Sequence, residues 1–219
     1  LKSNLDRVIV STEDKETAKV SKKYGAEVPF IRPKNLAGDK VGIEPVIRHG
    51  LEWLKENEGY VPDAVALLMP TNPFRNPKQI NEVLEIFKKK NPDSIVSVVY
   101  ATANNNPYWI LKKDTAGKVT LFTGKPLTKI ITRSQDLPVC YSRNDVIYLL
   151  KPKNLYEKVP NLYGKKIQLY RMDDFYNSDI NTPGDWFIAV QKMKLLKKEL
   201  KSKGKKLDNL FQGRKDVFK

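Results

Sequence analysis

Cysteine and histidine are almost absent. Cys140 and His49 stand alone in 219 residues. No internal disulfide can form, and a zinc site built from thiolates and imidazoles is excluded. Long apolar runs are missing too. No stretch is long enough to span a membrane, and the first residues carry no signal-peptide pattern. These absences point to a cytoplasmic protein with no membrane contact. Negative charge is scarce: 25 Asp and Glu face 40 Lys and Arg, a formal net charge of +15. That excess favours anionic partners such as nucleotides, phosphates, acidic sugars or nucleic acid. Much of it lies in "KMKLLKKELKSKGKKLDN" (192–209). Lysines without interleaved arginines and aromatics read as a solvated helix face, so nucleic acid is not the expected partner.

What is present is a rhythm. Hydrophobic residues make up 40% of the chain, enough for a real core. "DRVIVST" (6–12), "AEVPFIR" (26–32), "DAVALLM" (63–69) and "SIVSVVY" (94–100) are short apolar runs that read as buried strands. Helical patterns lie between them. Ser11-Thr12 can cap one that runs to about Tyr24. Ile47, Leu51 and Leu54 mark a second, ending near Gly59, and a third covers roughly 78–90. His49 falls in the second as a partly buried structural residue with no catalytic role. Strands alternating with helices over short connections predict an α/β fold with a mostly parallel sheet and helices on both faces. Ligands in such sheets bind beyond the carboxyl ends of the strands. Three polar loops follow strands, at 33–42, 70–77 and 101–107.

The rhythm changes from about 104 to 138. "PYWILKKDTAGKVTLFT" alternates around Ala116-Gly117 and predicts an antiparallel projecting arm, an element that often makes a subunit contact. Strands resume at 140–150 and 165–172, and a last helix starts at 183. The expected division is an α/β domain over 1–190, with the arm at 104–138, and a basic helix and tail over 191–219.

"YNSDINTPGDW" (176–186) is the most informative stretch. Thr182 suits a helix N-cap, Pro183 the first helical position, and Asp185 sits three residues after the cap. Helix initiation does not explain Asp179 and Asn181. Two residues apart in an extended segment, they face the same side. Their oxygens would converge at a strand end, as a magnesium site needs. From this stretch alone, a plain surface turn and a metal site both stand.

"LDRVIVSTEDKETAKVSKKYGAEVPFIRPKNLAGD", "LLMPTNPFR", "RSQDLPVCYSRNDVIYLL" and "SDINTPGDW" resemble, in order, motifs of the acylneuraminate cytidylyltransferase family. The resemblance covers nearly the whole chain to about residue 190. It implies a Rossmann-like nucleotidyltransferase with a dimerisation arm. It also implies transfer of CMP from CTP to an acidic eight- or nine-carbon sugar, with release of pyrophosphate and Mg2+ as cofactor. Asp179 matches the first aspartate of the family's metal-binding "DID", and Asn181 falls where the second is expected. The resemblance makes Asp179 and Asn181 the catalytic residues and the magnesium ligands, with Asn181 the weaker second ligand. It places Asp39, Thr71, Arg75, Arg133, Gln135 and Asn144 at the substrates. Arg133 and Gln135 would contact the acidic sugar or nucleotide, across a homodimer interface through the arm, and the loop around Asp39 would approach the cytidine.

Several positions depart from the family pattern. "QPTSPLR" becomes "MPTNPFR", so Met69 replaces a glutamine. Ser134 replaces an arginine of "RRQDLP". Asp145 replaces the glycine of "NGAIY". "KVGIEP" stands where small hydroxyl residues are common. The family's glycine- and lysine-rich loop, of the type "ARGGSKG", has no counterpart in these 219 residues. The expectation is therefore a CMP-nonulosonate synthetase or a shortened form of one. A degenerate, non-catalytic homologue that binds a partner and a basic nucleic-acid-binding module are the alternatives.

Overall fold

A computed structural model describes residues 3–202. The elements are α1 (Lys15–Lys23), α2 (Ile43–Glu58), β1 (Val65–Leu67), α3 (Pro77–Lys90) and β2 (Ser94–Tyr100). Then come β3 (Leu111–Lys113), β4 (Val119–Leu121), β5 (Tyr141–Leu150), β6 (Ile167–Arg171) and α4 (Pro183–Ser202). The expected basic tail beyond 202 lies outside the described residues.

Four strands form the main sheet in the order β1-β5-β2-β6. β2 and β6 pair in parallel, and β5 runs antiparallel to both β1 and β2. So β1, β2 and β6 share one direction, as the βα rhythm predicts, and the reversed β5 sits among them. β2 and most of β5 are continuously buried, because helices cover both faces. On one face α2 lays Leu51, Ile43 and Ile47 against Val96, Val98, Tyr148 and Leu150. On the other, α3 lays Ile80, Val83 and Leu84 against Ile95, Ile147 and Leu149.

Two expected strands are not formed. The segments at 6–12 and 26–32 run side by side and share one isolated parallel bridge, Ile9 to Glu27. Val10 N donates to Glu27 O at 2.9 Å, and Glu27 N to Val8 O at 2.8 Å. An apolar run supplies strand propensity, but a ladder also needs a second backbone in register. The cap of α1 also differs from expectation. Asp14 caps it by accepting from Thr17 N, while Thr12 Oγ1 accepts from Asp14 N. α2 stops at Gly59, whose φ of 65° suits the left-handed C-cap. Within 104–138, β3 and β4 form a two-stranded antiparallel hairpin apart from the main sheet. His49 is half-buried in α2, edge-on to Phe30 at 4.9 Å.

Candidate active site

Thr182 and Asp185 start α4 as a reciprocal pair. Asp185 N donates to Thr182 Oγ1 at 3.2 Å, and Thr182 N donates to Asp185 Oδ2 at 2.8 Å. Asn181 N reaches the same carboxylate oxygen at 3.1 Å. The Thr182 hydroxyl and these two amides hold the Asp185 carboxyl below its usual range. The helix start thus fixes the backbone just after Asp179.

Asp179 is gripped at both oxygens. Asn181 Nδ2 donates to Oδ2 at 2.7 Å. Asn72 Nδ2 donates to Oδ1 at 3.2 Å. Asp179 and Asn181 therefore do face one side, as the two-residue spacing predicts. Thr71 joins through its backbone, its carbonyl accepting from Ile180 N at 3.0 Å. The loops after β1 and β6 meet here, beyond the carboxyl ends of both strands.

Lys192 of α4 braces the same turn from behind. Its Nζ donates to Ser178 Oγ at 2.6 Å and to the carbonyls of Phe175 and Asn177 at 3.2 Å. It lies 5.5 Å from the Phe175 ring centroid. Burial lowers its pKa. An ammonium used up by carbonyls and rings acts as a brace for the loop that carries Asp179.

Asn72 also reaches Asp145 O at 3.4 Å. Asp145 sits in the left-handed region at φ 53°, a conformation that aspartate tolerates better than most residues. It stands where the β2–β5 register shifts, between Val96 and Val98. Its carboxylate accepts from the Tyr148 hydroxyl. Arg143 Nη1 donates to Tyr148 Oη at 3.0 Å and to Tyr163 Oη at 2.7 Å. Burial, reinforced by Asp145, holds the Tyr148 phenol well above its usual range.

Arg75 is committed to the backbone. Nη1 donates to Val146 O at 2.6 Å and Nη2 to Met69 O at 2.9 Å. Burial pushes its pKa down to about 10, so it stays charged at neutral pH. It ties the exit of β1 to β5. Asn144 is committed to the core: its Oδ1 accepts from Ser97 Oγ at 2.6 Å, and its Nδ2 faces Met172 Sδ at 3.5 Å. Asp39, Arg133 and Gln135 are exposed. Arg133 lies 3.9 Å from Asp136, and Gln135 Oε1 accepts from Ser134 Oγ at 3.4 Å. These partners are local to the 133–136 turn, away in the chain from the Asp179 corner. A cleft of about 280 Å³ opens at the base of the arm, lined by Tyr100, Asn106, Ser134, Leu137 and Cys140 among others.

Among the described residues, no group of three or more His, Cys, Asp or Glu is placed to hold a metal ion. The Asp179 corner offers one carboxylate and two carboxamides instead. Asn72 Oδ1 is buried there with no hydrogen-bond partner. An orphaned acceptor beside a carboxylate fits a hard cation that takes oxygen ligands and completes its shell with water and phosphate. Sequence reasoning passed over Asn72, Lys192 and Arg143. An asparagine between prolines reads as a turn former, and nothing local ties it to Asp179.

Comparison with known proteins follows the same lines. The cytidylyltransferase family model matches residues 1–213. Post-translational flagellin modification protein B of Campylobacter coli is 31% identical over 182 residues, covering 83% of this chain and 74% of that protein. CMP-N,N'-diacetyllegionaminic acid synthase of Legionella pneumophila is 30% identical over 197 residues, 87% and 79% of the two chains. Among solved structures, CMP:2-keto-3-deoxy-manno-octonic acid synthetase complexed with CTP shares the fold. Its TM-score is 0.57 at 13% identity, over 90% of this chain and 83% of that one. The motif order, the strand arrangement and a family match over nearly the full length agree: this chain belongs to the cytidylyltransferase family, with the CMP-nonulosonate synthetase-like members.

Proposed function

We propose that the protein transfers CMP from CTP to an acidic nonulosonic sugar and releases pyrophosphate, using a divalent cation, magnesium by preference. The observation that carries this reading is Asp179, pinned beyond the strand ends by Asn72 and Asn181. The relatives named as CMP-legionaminic acid synthases support the substrate class. The sugar's anomeric hydroxyl attacks the α-phosphorus and gives up its proton to solvent, while the bond to the pyrophosphate oxygen breaks in line and pyrophosphate leaves.

A bound cation would draw charge from the phosphate oxygens of CTP and of the leaving pyrophosphate. Asp179 anchors it, and Asn181 is its weak second ligand. Asp39 approaches the cytidine, and Arg133 and Gln135 meet the anionic sugar or nucleotide from the arm. Thr71 meets the substrates from the loop after β1, which its carbonyl ties to the Asp179 turn. Arg75 and Asn144 act as positioning residues, since their polar atoms are already engaged. The enzyme works in the cytoplasm, where CTP is made.

The arm exposes Leu111, Val119 and Phe122. We read this surface as the contact between two copies of the chain. Light scattering on Phe122→Asp should then show the mass of one copy where the parent protein shows two.

The direct test incubates the folded protein with CTP, Mg2+ and either N,N'-diacetyllegionaminic acid or N-acetylneuraminic acid. Phosphorus NMR follows pyrophosphate and the CMP-sugar. Both should appear together, and only with Mg2+ and sugar present. A folded protein that binds CTP and never forms a CMP-sugar overturns the reading.

A further inference from the structure

We propose that the lysine-rich surface around Asp93 docks the protein on the face of an anionic phospholipid bilayer. Asp93 and Lys166 immediately precede the parallel strands β2 and β6, whereas Asp179 follows β6. The surface therefore lies at the opposite end of the sheet from the Asp179 corner, and the proposal is independent of the function above.

Lysines from three parts of the chain converge on Asp93. Its Oδ1 meets Lys153 Nζ at 2.6 Å, and its Oδ2 accepts from the amides of Lys165 at 3.1 Å and Lys166 at 3.0 Å. Its carbonyl accepts from Lys151 N at 3.0 Å. Lys166 Nζ donates to Lys90 O at 2.8 Å, at the end of α3. Lys88 and Lys89 precede Lys90 in the last turn of that helix. The helix dipole suits the lysines of α3. It does not account for those that come from the loops after β5 and before β6.

The charge of this group is unbalanced. Lys88, Lys89, Lys90, Lys153, Lys165 and Lys166 are all exposed. The Asp93 carboxylate is already engaged by Lys153, and Glu85 stands 3.9 Å from Lys88. Like charges held this close repel one another, and an anionic partner offsets the repulsion. Near an anionic bilayer each lysine contributes about fivefold in affinity. The members are spread over residues 88–166 and meet only in the fold, so the sequence does not show them as one group. The expectation of no membrane contact rested on the lack of a spanning run, and a peripheral contact needs none.

A neighbouring apolar tip favours lipid over other polyanions. The loop between β5 and β6 carries Val159, 73% exposed, between Lys158 and Pro160. This loop is tied to the lysine group. Asn161 N donates to Asn154 O at 3.2 Å, and Asn154 Nδ2 donates to Asp93 O at 3.0 Å. An apolar tip flanked by lysine suits the headgroup boundary of a bilayer, where buried apolar area and positive charge strengthen binding together. A nucleic-acid surface would interleave arginines and aromatics with the lysines, and the group around Asp93 is all lysine.

The test is co-sedimentation with vesicles of mixed phosphatidylglycerol and phosphatidylcholine, against vesicles of phosphatidylcholine alone. The parent protein should bind the anionic vesicles at low salt, leave them at high salt and ignore the neutral ones. Lys89→Gln with Lys165→Gln spares the Lys153–Asp93 and Lys166–Lys90 contacts. This pair should weaken binding roughly tenfold or more. Lys19→Gln with Lys23→Gln removes the same charge from α1 and should stay within about twofold of the parent. Thermal unfolding of each variant runs alongside, and Lys88→Gln with Lys89→Gln gives a second reading should the first pair lower Tm. Equal weakening by the pole pair and the α1 pair would be an effect of net charge and overturns the proposal. So does a parent protein that ignores anionic vesicles at low salt, or one that prefers a duplex DNA oligonucleotide when the two compete. Each of these outcomes leaves the proposed transfer reaction standing.

Discussion

Asn72 and Asp179 lie 107 residues apart in the chain and meet at 3.2 Å. Their strands, β1 and β6, are the two edges of the main sheet. The contact therefore closes over the end of the sheet, and the Thr71–Ile180 backbone bond next to it does the same. Neither loop is held by its own neighbours alone. The site depends on the whole strand order being in place.

Asp179→Ala should abolish Mg2+-dependent CTP binding, measured by calorimetry. Asn181→Asp is the informative partner. It replaces the 2.7 Å amide contact with a like charge. Without metal it should lower stability by about 0.5–1 kcal/mol, because the position is exposed. With metal it should raise Mg2+ affinity, since a charged oxygen replaces a neutral one. An Asn181→Asp protein with unchanged metal affinity would show that residue 181 faces no cation.

Arg75→Met tests whether that arginine reads substrate or supports the fold. The change removes the donors from two backbone carbonyls, Val146 O and Met69 O. Each loss costs about 1–3 kcal/mol when the carbonyl is buried. Urea unfolding should show a total loss of about 3 kcal/mol. CTP affinity of the folded fraction should change far less. Loss of CTP binding with stability intact would return Arg75 to direct contact with the nucleotide.

The sequence already showed much of this. β2 runs over 94–100 as its apolar pattern predicts, and β5 starts one residue later than expected. Both are buried on two faces, which makes an apolar run a sufficient signal. The Thr182–Asp185 pair and the shared face of Asp179 and Asn181 were legible because they depend on spacings of three and two residues. The segments at 6–12 and 26–32 misled because an apolar run such as Val8–Val10 does not say how far a pairing extends, and the two segments share a single bridge rather than a ladder. Asn72 was hidden for a related reason: its role lies in a contact across the sheet. Arg75 and Asn144 carry motif resemblance, but the motif does not tell whether a polar side chain points outward or into the fold.

Gly164 offers a sharp test of packing between β2 and the segment before β6. Its φ is 66°, and a Cβ there would stand 2.5 Å from Asp93 Cβ and 2.8 Å from Asn154 Oδ1. Backbone strain and overpacking together predict that Gly164→Ala costs about 3 kcal/mol. For a chain of this size that lowers Tm by roughly 10 °C. A Tm within about 2 °C of the parent, less than the shift for 1 kcal/mol, would mean the 161–166 turn relaxes freely.

Asp93 links the same turn to pH. Its Oδ1 meets Lys153 Nζ at 2.6 Å, and its Oδ2 accepts from the amides of Lys166 at 3.0 Å and Lys165 at 3.1 Å. The Lys153 ammonium first, then the two amides, hold the carboxyl far below its usual range. The unfolded chain has an ordinary aspartate, with a pKa of about 3.9. A group whose folded pKa is depressed adds stability that is fully present above the unfolded value. That stability is lost as pH falls toward the folded one. Asp93→Asn removes the charge, so at pH 7 its Tm should lie below the parent's. The gap should hold down to about pH 5 and narrow steadily below about pH 4, as the parent's carboxylate takes up its proton in the unfolded state. Parallel Tm curves for the two proteins from pH 7 to pH 3 would show that the Lys153 pair and the two amide bonds contribute no charge-dependent stability.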